Sequence, residues 1–414
     1  MSDNILSQIV DYYIKSSDFN GLPFYNIINT DIKKLIDLID QEKIESYSQY
    51  EFINPHIKAF EIKSSKEHQK ELVFNKTDLV VFYPTKKHLL SLNLHDERPF
   101  TKMLLNGEPQ LKILYFSIEI IERYFNNPKY LIRDSGYRGT ISIKDEFYDE
   151  EDILDSEYIQ DYGMAYKKDA TSKERYVGVF LRDLSKLILE AQYRWRSFLL
   201  PDNDNYIVNY GFIKNLIYGE WVETVSIYDA LLEEIVLINK MCNSMGIQPL
   251  FRNEIKPHGY NEPLHYRHIF LPTIKNYYDF LTVLEKLVVH NINSKTFLKV
   301  ANLIRAVERK DENGREKGSL TMFQEWLRIN IRTSEDPVAL IIKPLRNIRE
   351  ERQIPAHELY ENKHDVRLYE KQDELIQNTY AAVRAIRLFF ANHPSNKGIE
   401  TPEYLITGEK IVIY

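Results

Sequence analysis

Near residue 220 the hydrophobic pattern of this chain changes its period. Before that point short stretches alternate between helical spacing and β-type runs. From 221 to 393 one helical stretch follows another with no convincing strand between them. The shift limits the possible folds, because helices without strands nearby can bury their apolar stripes only on one another. It predicts an α+β fold class: a mixed N-terminal α/β domain followed by an all-α helical bundle. A chain of 414 residues is long enough for two cores. We place the boundary in "PDNDNYIVNYG", between Pro201 and Tyr218, which gives an N-terminal domain over 1–215 and a C-terminal bundle over 216–414.

In the first half, "SDNILSQIVDYYIKSS" sets Ile5, Ile9, Tyr12 and Tyr13 at helical spacing, with Ser2 or Asp3 placed to cap it. "DLVVFYPT", residues 78–85, is a β-branched and aromatic run stopped by Pro84 and suits a buried strand. The spacing of Leu114, Ile118, Ile121 and Tyr124 predicts a helix over 111–127 that ends at Asn-Asn-Pro. "GTISIKDEFYD" alternates like a strand, and "RYVGVFLRDL" reads as a strand turning into a helix. The acidic run between them, Asp145 to Asp161, reads as a solvated loop.

In the second half, Ile227, Leu231, Ile235 and Ile238 mark a strong helix that closes on Gly246. Further helices are expected at 273–290, 294–309, 319–332, 336–351 and 366–391. The last residues, "ITGEKIVIY", are expected to add an edge strand to the first domain.

Composition narrows the function. The formal charge of −7 argues against a protein that coats nucleic acid over its whole surface and leaves room only for a local basic site. Cys242 is the only cysteine, so neither an intrachain disulfide nor a Cys-rich zinc module can form. With no basic leader followed by an apolar run, and no apolar stretch long enough to span a bilayer, the expectation is a soluble cytoplasmic protein without membrane contact.

No GxxxxGK[ST], GxGxxG, GxSxG or HExxH pattern occurs, which sets aside P-loop nucleotide hydrolysis and the best-known hydrolase signatures. "KPHGYNEPLHYRH" gathers His258, His265 and His268 near Glu262, but at no familiar metal-ligand spacing, so it reads as a structural or recognition loop. "RWRSF", after Tyr193, interleaves cations and aromatics as a base-stacking site would, yet it fits equally the end of a helix whose Trp195 packs on the core. No metal and no cofactor is called for.

The remaining candidate is "SEDPVALIIKPLRNIREERQIPAHELY". Its apolar positions predict a helix on which Arg346, Arg349 and Arg352 lean to one side. Pro355 is expected at a kink or in the first turn of a new helix, which would put His357 beside free backbone N–H groups and favour a neutral imidazole and a bound phosphate. A histidine able to move the ribose 2′-hydroxyl proton, with a guanidinium bracing the phosphate, is a workable minimum for metal-free RNA cleavage. The plainer alternative has Arg352 paired with Glu350, Glu358 or an acid on another helix, and His357 capping the bend. Asp365 reads as an N-cap of the final helix.

Arg352-x4-His357, preceded by a helix and followed by a long one, resembles the R-x(4–6)-H motif of HEPN domains, with Gln353 standing where that family often has asparagine. Many members are ribonucleases of toxin–antitoxin, CRISPR and antiphage systems. The resemblance covers at most 221–393. It implies an all-α domain that forms a homodimer and cuts RNA at a composite site, with an antitoxin or other protein as a further possible partner. Arg352 and His357 would then be catalytic, with Arg346, Asn347, Arg349 and Tyr360 contacting substrate. A non-catalytic interaction protein that uses the bundle as a dimer or partner surface is the alternative. A ligand sensor with an interdomain pocket is a third.

Overall fold

The computed structural model describes residues 2–15, 21–48, 64–75, 80–148, 155–168, 173–257, 262–300, 303–331, 337–357 and 360–413. Helix makes up 52% and strand 15%, an α+β fold with a helical C-terminal region. The chain divides into two compact units: Met1–Ile132 with Arg138–Asp169 and Arg175–Phe212, and Ile213–Tyr414 with Arg133–Tyr137 and Ala170–Glu174.

The first unit begins with α1 (Ser2–Lys15), β1 (Leu22–Pro23), α2 (Ile32–Asp40), β2 (Ile44–Ser48), α3 (Lys66–Phe74) and β3 (Val80–Pro84). β3 is the middle strand of a three-stranded antiparallel sheet ordered β1-β3-β2. All five of its residues are buried, so its sequence is a continuous apolar run rather than an alternation. Ile5 and Ile9 of α1, Leu35 and Ile39 of α2 and Val73 of α3 form one core with it. The caps are local: Asp31 accepts from the Lys33 N–H and Ser65 from the His68 N–H.

The unit continues through α4 (Lys86–Ser91), α5 (Pro99–Leu105), β4 (Ile113–Ser117), α6 (Glu119–Phe125), β5 (Tyr130–Asp134), β6 (Arg138–Ile143), α7 (Asp145–Tyr148), β7 (Asp161–Lys167), β8 (Tyr176–Phe180), α8 (Leu181–Ser185), α9 (Leu189–Arg196) and β9 (Tyr206–Val208). The strands form a second sheet ordered β4-β8-β7-β6-β5, with β9 pairing β7. Gly163 of β7 permits this pairing. A Cβ there would lie 2.3 Å from Val208 Cγ2 and 2.6 Å from Phe212 Cδ1.

Two expectations are corrected here. Residues 111–127 are not one helix: Ile113–Ser117 is a strand paired antiparallel with β8, and only Glu119–Phe125 is helical. The acidic stretch is not a loop throughout, since Asp145–Tyr148 is helical and Asp161 opens β7. "RWRSF" takes its structural role, as Trp195 is fully buried with its ring 5.0 Å from Phe116 and its indole N–H donating to the Tyr124 hydroxyl.

After α10 (Tyr210–Tyr218), the second unit carries β10 (Val225–Ser226), α11 (Ile227–Ser244), α12 (Ile274–Val288), α13 (Ser319–Asn330), α14 (Pro337–His357), α15 (Arg367–Ala391), α16 (Glu403–Thr407) and β11 (Ile411–Val412). α15 packs on α11 and α14, and α14 also packs on α12. Gly246 has φ 74°, the left-handed value that ends α11. The expected helix over 294–309 reduces to a short 3-10 turn, Ser294–Leu298, and 303–309 is not helical. The C-terminal strand does not join the first domain. β11 pairs parallel with β10, inside the helical unit.

The bundle core holds Trp326, Phe297 and Phe390 together. It also encloses an ion pair between Glu234 of α11 and Arg387 of α15, both almost fully buried. Arg387 donates a further hydrogen bond of 2.8 Å to the Leu405 carbonyl. No described helix is long and apolar enough to cross a membrane.

Candidate functional site

α14 is one helix of 21 residues despite three prolines. Pro337 opens it, where a missing N–H costs nothing, and Pro344 and Pro355 each leave one carbonyl a turn earlier without its helical partner. Because α14 continues through Pro355, residue 357 lies at the C-terminal end of a helix and not at the start of a new one, as the sequence suggested. The backbone carbonyls at that end favour a cation over a phosphate. The His357 side chain lies outside the described residues.

The arginine ridge divides. Arg346, Asn347 and Arg349 are exposed, and Arg346 Nη2 donates to Gln324 Oε1 of α13 at 2.6 Å. Arg352 instead turns onto α12, where its Nε lies 3.3 Å from Glu285 Oε2. The Glu285 side chain is 4% exposed and that of Arg352 35%. The expected pairing of Arg352 with a neighbouring or distant acid is thus met by Glu285. Tyr360 is exposed, and its ring stands edge-on to Tyr278 at 4.9 Å.

Glu285 also faces a residue the sequence did not single out. His290 Nε2 lies 3.3 Å from Glu285 Oε1 and the His290 side chain is 60% exposed. The Glu285 carbonyl accepts the N–H groups of Val289 and His290 at 2.8 and 3.0 Å, so the turn that ends α12 folds the imidazole back over its own carboxylate. Arginine and histidine therefore occupy opposite oxygens of one buried carboxylate. Next to Arg352, Glu351 accepts from the Tyr277 hydroxyl at 2.8 Å, and Lys371 pairs with the same oxygen at 2.8 Å. Burial, and next Glu351, push the Tyr277 hydroxyl well above its usual range.

A signal for Glu285 did exist in the sequence. It sits beside Leu284 and four residues after Leu281, on the apolar stripe of α12, where an unpaired carboxylate is costly. Nothing local marked His290.

The other candidates disperse. His268 is buried, stacks on Tyr369 at 5.4 Å and lies 3.7 Å from Asp373, while His265 is held below its usual pKa first by burial. His258 lies outside the described residues. Among the described residues no group of three His, Cys, Asp or Glu side chains could hold a metal ion. Asp365 accepts from the Arg367 N–H at 3.0 Å at the start of α15 and grips the Arg367 guanidinium, which holds its carboxyl down at about 2. A cavity of about 820 Å³, lined largely by apolar residues such as Met245, Ile341 and Phe389, contains none of the predicted site residues. No family model, curated protein or solved structure matches the chain.

Proposed function

We propose that the C-terminal helical unit is a metal-independent endoribonuclease of HEPN type that works as a homodimer, with Arg352 binding the scissile phosphate and His357 as general acid and base. The observation that carries this reading is the setting of Arg352. Glu285 holds its Nε, while the two Nη groups have no described partner and the side chain stays partly exposed. A guanidinium fixed in this way is pre-organised to receive a phosphate through its planar end. Arg346, Asn347 and Arg349 on the exposed side of the same helix extend a local basic strip, which is what an acidic chain needs in order to hold RNA at one place. Tyr360 adds an exposed aromatic surface.

The Arg352–Glu285 pair also favours a second reading, in which the bundle is a non-catalytic interaction module and the pair only fastens α14 to α12. The two readings separate on cleavage of total RNA and tRNA in EDTA by the wild type, Arg352→Ala and His357→Ala, with product ends analysed. Cleavage that leaves 2′,3′-cyclic phosphate and is lost in both folded variants supports the nuclease. An inactive wild type, with or without a co-purified partner, supports the interaction module.

A further inference from the structure

We infer that His290 and Arg352 together form a site for a phosphate ester, in which His290 Nδ1, in place of His357, is the base that takes the proton from the attacking hydroxyl, leaving His357 the role of acid. The catalytic half of this inference rests on the nuclease reading. The anion site does not.

Three features argue for it. First, the buried carboxylate of Glu285 faces Nε2 of His290 at 3.3 Å. A carboxylate in that position favours the tautomer with the proton on Nε2, which leaves the Nδ1 lone pair to act. This is the logic by which a buried acid orients a catalytic imidazole. Nδ1 has no described partner, and the side chain is 60% exposed.

Second, the position of His290 is rigid. Its carbonyl accepts from Arg252 Nη1 at 3.2 Å. The next residue, Asn291, is buried and exchanges hydrogen bonds of 2.8 Å with the backbone N–H and carbonyl of Asn253. The segment ahead of it is anchored in turn: Asn239 of α11 donates to the Phe251 carbonyl at 2.8 Å and accepts the Phe251 N–H at 2.9 Å.

Third, the Nη groups of Arg352 suit an anion: they have no described partner, and a phosphate bound beside His290 accepts from them. For RNA the step balances without a co-reactant. His290 Nδ1 takes the 2′-hydroxyl proton, the 2′-oxygen bonds to phosphorus, and the bond to the 5′-oxygen breaks. That oxygen gains a proton from His357, the acid of the nuclease reading, leaving a 2′,3′-cyclic phosphate and a 5′-hydroxyl.

The test combines RNA cleavage in EDTA with NMR of the histidine side chains in the full-length protein during titration with inorganic phosphate. A loss of ~10²–10⁴-fold in His290→Ala, with a limb missing from the pH profile of His290→Gln, supports the inference. Cleavage by His290→Ala within a few-fold of wild type, while Arg352→Ala is inactive, overturns the catalytic role and leaves the nuclease standing. If the wild type cuts nothing, the nuclease reading fails and the titration decides the anion site. A saturable shift of the His290 ring signals that disappears in Arg352→Ala supports it, and no shift, or one that persists in that variant, overturns it.

Discussion

Arg352 Nε lies 3.3 Å from Glu285 Oε2, and the contact fastens α14 to α12 alongside the Tyr277–Glu351 hydrogen bond. Removing Arg352 leaves a buried carboxylate with His290 as its one remaining partner among the described residues, so Arg352→Ala should lower stability by ~1–3 kcal/mol. The double variant Arg352→Met with Glu285→Leu should recover much of that loss, because neither charge is then stranded. Urea denaturation of the three proteins measures both effects, and a neutral Arg352→Ala would mean that the pair contributes nothing in solution.

The pair between Glu234 and Arg387 lies deeper, with side chains 0% and 3% exposed. Arg387→Met should destabilise by ~3–5 kcal/mol, since it strands Glu234 in the core and removes the donor to the Leu405 carbonyl. Glu234→Leu with Arg387→Met should return to within ~1–2 kcal/mol of wild type. A double-mutant cycle in denaturant gives the coupling directly.

Cys242 is fully buried, and burial pushes its thiol up to about 12. At about pH 8 the native protein should therefore fail to react with a thiol reagent, because the thiolate is neither formed nor accessible. One equivalent should react rapidly once denaturant is added. Fast modification of the native protein would contradict the buried position in α11.

Glu42 gives the first unit a pH-dependent element. Hydrogen bonds from Lys87 and then Lys66 hold its carboxyl down at about 2. A depressed folded pKa means that the contribution is fully present above the ordinary value of 4.5 and is lost as pH falls through about 2. Carboxyl NMR should place the Glu42 midpoint near the lower value, and added salt should raise it, because the group is exposed and screened. A midpoint in the ordinary range at low salt would show that the lysines do not hold it.

Elements with a clean local period were legible in the sequence: α1 from Ile5, Ile9 and Tyr13, β3 from its apolar run and Pro84, α11 from its stripe and Gly246, and α12 and α15 from theirs. Each is specified by neighbours within a few residues, so the α+β class followed from the sequence alone. The stretch 111–127 was misread because Leu114, Ile118, Ile121 and Tyr124 keep a helical spacing across a strand–helix junction. What makes Ile113–Ser117 a strand is pairing with β8, far along the chain. The same limit applied to the C-terminus, where Ile411 and Val412 found β10 rather than the first domain.

The candidate site divides along the same line. The sequence supplied Arg352 and the basic strip of α14, since helical spacing alone brings Arg346 and Arg349 to the surface. Only the tertiary structure chose the partner of Arg352. Helix packing sets α14 on α12, buries Glu285 between them and turns His290 back onto it, and neither residue lies near Arg352 in sequence. Local periodicity fixes which face of a helix is apolar. Which charged groups meet when two such faces close depends on the mutual rotation and register of the helices, and the fold sets these through contacts that no single stretch of sequence contains.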